Sequence, residues 1–308
     1  MKIFDAHCDL LYKLWKYPGM DEYGDPFLQT SIQKLQNSSF GIIQCFAVFV
    51  PSELSGSEKL IAALSQINLF HEVILKKYDR FVHIKSKEDI EGMKDGEIGA
   101  ILTLEGCDCL QGNINLLETF YHLGVRSFGL TWNNGNLLAD GALESRNAGL
   151  SSLGVEAVRK LNMLKVWTDL SHLNEKSFWD VIEEADFPVA THSNAYTLCP
   201  HPRNLRDGQI TACVQKNSMI GITFVPAFTA PERRAAVKDL LSHVDYVLSL
   251  GGENSVGLGS DFDGITETIE HVSGFQDYHH ITNALVKSYS AEVVHKILYQ
   301  NFVNKIIF

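Results

Sequence analysis

The chain has 308 residues, 45% of them hydrophobic and 20% charged, a globular composition with enough length to bury a large core. Acidic residues outnumber basic ones by 37 to 26, for a formal net charge of −11, and no basic tract interrupts that balance, which argues against nucleic acid or anionic membrane as a partner. No window approaches the roughly 18 uninterrupted apolar residues of a membrane span.

The first residues, MKIFDAHCDLLYKLW, turn polar at Asp5, His7 and Asp9. They lack the apolar run and cleavage site of a signal peptide, so the expectation is a cytoplasmic protein whose fold opens with a strand over residues 2–5. Residues 17–35, rich in Gly, Asp and aromatic side chains, read as a loop excursion. Short β-branched runs at 41–49, 99–104, 127–130, 165–169, 188–190, 219–223 and 255–258 then alternate with helical periodicity at 58–78, 114–123, 156–164, 176–184, 207–216 and 235–250. Residues 266–278 read as a second loop, and a helical segment from 278 to about 304 closes the chain. Strands alternating with helices in this way predict an α/β fold, a (β/α)8 TIM barrel of the metallo-dependent hydrolase type, as one domain over residues 1–308. An open doubly wound sheet would need a Gly-rich phosphate loop after its first strand, and DAHCDLL is not one. The six cysteines, Cys8, Cys45, Cys107, Cys109, Cys199 and Cys213, have no framework spacing and are expected as free thiols. Cys107 and Cys109 without a second pair fall short of the four ligands of a structural zinc site.

The chemistry-bearing side chains fall at one kind of place. His7 and Asp9 follow the first predicted strand, Glu105 ends the third in AILTLEG, and His172 follows the fifth in VWTDLSH. His192 follows the sixth in PVATHSN, and Asp261 and Asp263 follow the eighth in VGLGSDFDG. Singly, each has a plain reading as a cap, a turn, a salt-bridge partner or a core histidine. Together they mark the carboxyl ends of barrel strands, where barrel enzymes build their sites. His7 and Asp9, two apart in an extended strand exit, project to one side and can reach one ion. His172 and His192 could hold a second, with Glu105 between the two. Mixed imidazole and carboxylate ligands suit zinc and keep a position open for water. Two ions roughly 3.5–4 Å apart would lower the pKa of a shared water, giving a bridging hydroxide, and Asp261 would move its proton to the leaving group.

The ordered motifs FDAHCD, LTLEG, GVRSFGLTWNNGN, DLSHLNEKSFWDV, PVATHSN, HPRNLRDGQI and GGENSVGLGSDFDGI resemble the membrane (renal) dipeptidase family of zinc peptidases, more closely its soluble bacterial members. The resemblance runs from about residue 3 to 265 and implies two Zn2+ ions, with Mn2+ or Co2+ able to use the same ligands. It implies that His7 and Asp9 bind one ion, His172 and His192 the other, and that Glu105 bridges. Arg203 in HPRN would grip the substrate's free carboxylate, for which a planar guanidinium suits bidentate bonding. Asp261 would be the acid/base that also meets the substrate amine, and Asp263 a turn residue or a support behind the site. The implied substrate is a dipeptide, and a homodimer is possible by the same analogy. One departure stands out: where the mammalian enzymes carry a substrate-contacting histidine, this chain has Trp132, followed by Asn133, which could donate to the oxyanion instead. Two rivals accompany the dipeptidase reading. One is a two-metal amidohydrolase acting on N-acyl amino acids, lactones or phosphoesters; the other is a non-catalytic metal- or peptide-binding protein.

Overall fold

A computed structural model of the chain describes residues 1–230 and 234–308. Its strands are β1 (Lys2–Asp5), β2 (Gly41–Phe49), β3 (Phe81–His83), β4 (Ile98–Glu105), β5 (Val125–Gly129), β6 (Trp167–Asp169), β7 (Pro188–Ala190), β8 (Met219–Ile222) and β9 (Val256–Leu258). All pair in parallel in the order β2-β1-β9-β8-β7-β6-β5-β4, and a β2–β4 ladder closes the ring. The expected TIM barrel of eight parallel strands is therefore present. Long ladders such as IGAILTLE in β4 are buried along their whole length, as parallel strands covered on both faces must be.

A ninth strand was not expected. β3 pairs Phe81 with Ile98 and His83 with Ala100, whereas β5 begins its pairing at Leu102. Because β2 takes the other edge of β4 throughout, β3 and β5 share one edge in succession. FVH lies between the charged runs KKYDR and KSKED, so no apolar run announces a strand there. The expected helix at 58–78 is an α-helix, Ser57–Leu69, that continues as a π-helical stretch, Phe70–Leu75. The loop expected at 17–35 ends in a short helix, Ile32–Gln36, capped by Ser31, whose hydroxyl accepts from Lys34 N. Residues 266–277 carry an isolated bridge from Glu270 to Ala236 and a 3-10 turn, Phe275–Asp277, before a helix starts at Tyr278.

The amino-terminal end of the barrel is sealed by the tail. Phe302, in the short helix Asn301–Asn304, stacks on Phe4 with centroids 4.8 Å apart, and Trp167 donates Nε1–H to the carbonyl of Lys305 at 2.9 Å. Phe4, Trp167, Val189, Met219, Tyr299 and Phe302 belong to one buried cluster. All six cysteines are free and buried. Among the described residues, no helix is long and apolar enough to cross a membrane.

Candidate metal centre

The polar side chains gather at the opposite end. The exits of β1 and β9 are laced together, Asp9 N donating to Phe262 O at 2.8 Å and Asp261 N to His7 O at 3.1 Å. His172, Asp261 and Asp263 adopt left-handed backbone, with φ of 68°, 64° and 68°, a conformation that costs a non-glycine residue energy and collects at functional sites. Gly264 completes the turn because a Cβ there would collide with Asp9 Oδ2 and Asp261 Oδ1.

His7, Asp9, Glu105, His172, His192 and Asp261 converge. His7 Nε2 lies 3.3 Å from Asp9 Oδ2, 3.6 Å from Glu105 Oε2 and 3.9 Å from Asp261 Oδ1. On the other side of the same carboxylate, Glu105 Oε1 is 2.7 Å from His172 Nε2 and 3.6 Å from His192 Nε2. The two oxygens of Glu105 thus face different histidines. His172 Nε2 and His192 Nε2 are themselves only 2.8 Å apart.

The remaining ring nitrogens have partners that favour one tautomer of each ring. His172 Nδ1 meets the side-chain amide of Asn133 at 2.9 Å, and with the amide oxygen turned toward the ring Nδ1 carries the hydrogen. His192 Nδ1 meets Thr191 Oγ1 at 2.8 Å, while the Thr191 hydroxyl donates to Asp169. Both Nε2 atoms then present lone pairs to one another and to a carboxylate oxygen, an arrangement that repels unless a cation or a shared proton lies among them. His7 Nε2 and Asp9 Oδ1 are buried without a hydrogen-bond partner. Buried polar atoms are normally satisfied, so this donor set fits a divalent cation.

The charges agree. Burial lowers the pKa of His7, but the carboxylates of Glu105, Asp9 and Asp261 outweigh it and lift the value to about 10. Burial, with Asp9 beside it, pushes Glu105 well above the usual carboxylate range. Burial also raises Asp261 to about 7, against the opposing pull of His7 and Arg203. His172 and His192 are driven well below the usual imidazole value by burial, reinforced by the charges of Arg203 and His7, and stay neutral as ligands require. A divalent cation among these groups would take the place of the His7 proton and hold the carboxylates ionised.

A cavity of about 180 Å³ opens onto Asp9, Glu105, His172 and Asp261. Trp132 and Asn133 line it, Trp132 packing edge-on to Phe49 at 5.2 Å. Tyr12, Phe49, Val225, Phe228 and Ile265 complete an apolar wall that the sequence did not reveal, since such residues resemble any core position. Arg203 is not on this wall. It is 4% exposed, donates Nη2–H to His192 O at 3.3 Å, and sits with its guanidinium 5.6 Å from the Phe228 ring, bordering a neighbouring cavity of about 190 Å³. Asp263 is buried behind the site, accepting from Gln29 N at 2.7 Å and Thr30 N at 2.9 Å and facing Lys13 Nζ at 3.2 Å.

A closed parallel barrel carrying histidines and carboxylates at the carboxyl ends of its strands is a metal-dependent hydrolase fold. The family model of membrane dipeptidases (peptidase family M19) matches residues 1–306, and the chain belongs to that family. Membership makes it a metallo-dipeptidase, as its motifs implied. An uncharacterized protein of the pqqA 5′ region of Klebsiella pneumoniae is 35% identical over 252 residues, covering 77% of this chain and 92% of that protein. Dipeptidase tcpJ of Claviceps purpurea is 31% identical over 244 residues, covering 77% of this chain and 57% of its own. The crystal structure of a metallo peptidase from Rhodobacter sphaeroides, liganded with a phosphinate mimic of the dipeptide L-Ala-D-Ala, aligns with a TM-score of 0.92 at 26% identity over 99% of this chain and 98% of that one.

Proposed function

We propose that this metallo-dipeptidase works with two zinc ions on free dipeptides, as a single catalytic domain over residues 1–308. The observation that carries the reading is the split of Glu105, one oxygen toward His7 and the other toward His172 and His192. His7 and Asp9 would hold one ion, His172 and His192 the other, with Glu105 reaching both. Such a pair supplies a Lewis acid for the scissile carbonyl and lowers the pKa of water to near neutrality.

The chain's own residues do the rest. Asp261 lines the cavity and is the most exposed carboxylate of the cluster, its side chain 15% open, so it can reach substrate. It would take a proton from the attacking water, pass it to the departing amine, and receive the substrate's amino group beforehand. Arg203 holds a charged guanidinium in a buried place with Nε lacking a partner, which suits a carboxylate at its edge. Trp132 and the apolar wall would exclude bulk water from the bound dipeptide, with Asn133 beside them. The bound dipeptide mimic of the Rhodobacter sphaeroides relative supports this substrate class. Mixed nitrogen and oxygen donors favour zinc, with Mn2+ or Co2+ as substitutes. Six unpaired, buried cysteines fit a reducing, cytoplasmic location.

The test is elemental analysis of the purified protein together with a panel of dipeptides, N-acyl amino acids and phosphoesters. We expect two zinc equivalents per chain and turnover confined to dipeptides. One equivalent with full activity would refute the paired site, and faster turnover of N-acyl amino acids or phosphoesters would refute the substrate class. For Arg203, replacement by Met should raise KM with little change in kcat. Equal cleavage of a C-terminally amidated dipeptide would remove the carboxylate clamp.

A further inference from the structure

His192 is held by a chain of hydrogen bonds that no ligand assignment uses. Asp169, the last residue of β6, accepts the backbone N–H of Ser171 at 2.9 Å and of Thr191 at 3.1 Å, both on Oδ1. That leaves Oδ2 for the Thr191 hydroxyl. A hydroxyl has one hydrogen; having given it to the carboxylate, Thr191 Oγ1 can offer only a lone pair to His192 Nδ1, 2.8 Å away. The backbone N–H of His192 is pinned in turn on Ser171 Oγ at 3.1 Å. Asp169, Thr191 and His192 are all buried, so bulk water does not compete for these bonds.

We propose that Asp169 and Thr191 are positioning residues, a carboxylate–hydroxyl–imidazole chain that keeps the His192 proton on Nδ1 and its Nε2 free for a cation. The inference rests on the reading of His192 as a cation ligand. The direction of the chain is set at its acid end, because two backbone N–H groups already fix the carboxylate as an acceptor. His172 is served differently. Its partner is the amide of Asn133 on the cavity wall, a half-buried side chain that can turn over and present its other face. The two histidines therefore differ in how firmly their ring protons are placed, and His192 is the fixed member.

Three variants separate this role from packing or charge. Thr191→Val keeps the shape and removes the hydroxyl; Thr191→Ser keeps the hydroxyl. Asp169→Asn keeps the shape but would donate to Thr191, turning the hydroxyl hydrogen toward His192 and driving its own proton to Nε2. With zinc alone as the probe, measured by competition against a chelating dye, we expect affinity to fall about 10–100-fold in Thr191→Val, at least as far in Asp169→Asn, and to stay near wild type in Thr191→Ser. Long-range 1H–15N spectra of the metal-free protein should show His192 protonated at Nδ1 in wild type and at Nε2 in Asp169→Asn. Wild-type zinc affinity in Thr191→Val would overturn the proposal, because a purely electrostatic Asp169 would leave that variant unaffected. A wild-type spectrum with the proton on Nε2 would overturn it as well, whether or not Asp169→Asn folds. Failure of the wild-type protein to bind zinc would instead sink the ligand reading, and the metal-free spectrum would still decide the tautomer.

Discussion

The two ends of this barrel are built on opposite principles. At the amino-terminal end, Phe4, Trp167 and Phe302 pack ring against ring, and the tail closes the opening with apolar surface. At the carboxyl end, backbone is held in the left-handed region, imidazoles face one another, and buried polar atoms lack partners. The first arrangement lowers the free energy of the folded chain by burial and close packing. The second spends some of that stability on a constellation that is comfortable only around a cation. Stability and chemistry are thereby separated along one axis, and substitutions at the two ends should fail in different ways.

The sharpest break is Asp261→Asn. We expect kcat to fall about 10²–10⁴-fold, the usual contribution of a positioned acid/base, with cation content and melting temperature unchanged. Lost cations in that variant would reassign Asp261 from proton carrier to ligand. At the other end, Phe302→Ala should destabilise the fold by about 3–5 kcal/mol, while the surviving folded fraction keeps wild-type kcat. Denaturant titration beside active-site titration checks both halves of that statement. Removal of cations by a chelator should lower stability by a smaller amount, about 2.7 kcal/mol for an ion present at a hundred times its Kd, and re-addition should restore it. A melting temperature indifferent to chelation would mean that the carboxyl-end donor set is satisfied without cations.

A further test lies on β3, away from both ends of the contrast. Burial, aided by the nearby His71 and Lys85, depresses the His83 pKa to about 4. Between its ordinary value of 6.5 and that value the unfolded chain binds a proton that the folded chain refuses, so stability is present above pH 6.5 and drains away as the pH falls toward 4. The loss is at most about 1.4 kcal/mol per pH unit for one proton. His83→Gln should flatten the slope of stability against pH in that window and leave the pH profile of catalysis alone. An unchanged slope would assign the acid sensitivity elsewhere.

The polar end of the barrel was the more legible of the two from sequence. His7, Asp9, Glu105, His172, His192 and Asp261 could be picked out because histidine and carboxylate at the ends of apolar runs break the hydrophobic pattern that surrounds them. The strand count fell one short because Phe81–His83 lies between charged runs that hide it, whereas the equally short Pro188–Ala190 follows a helix and leads into a conspicuous THSN. Thr191 and Asp169 escaped because hydroxyls and strand-end acids are common, and only the register of β6 beside β7 brings them together. The apolar wall of Tyr12, Phe49 and Phe228 escaped for the opposite reason: nothing in an apolar residue distinguishes a substrate wall from a core. Arg203 was visible in HPRN, yet its place beside Phe228, bordering the adjoining cavity, depends on a loop path that no periodicity encodes.

The carboxylate of Asp263 ties the backbone of Gln29 and Thr30 to the turn that also carries Asp261. Gln29 returns the tie, its side-chain oxygen accepting from Asp263 N at 2.6 Å and its amide donating to Ile265 O at 3.1 Å. A stretch that the sequence offers only as a loop excursion is therefore mechanically geared to the turn that carries Asp261. A change of length in its exposed part, ahead of the buried Leu28, would reach Asp261 through Gln29 and Thr30 and should be registered as altered catalysis.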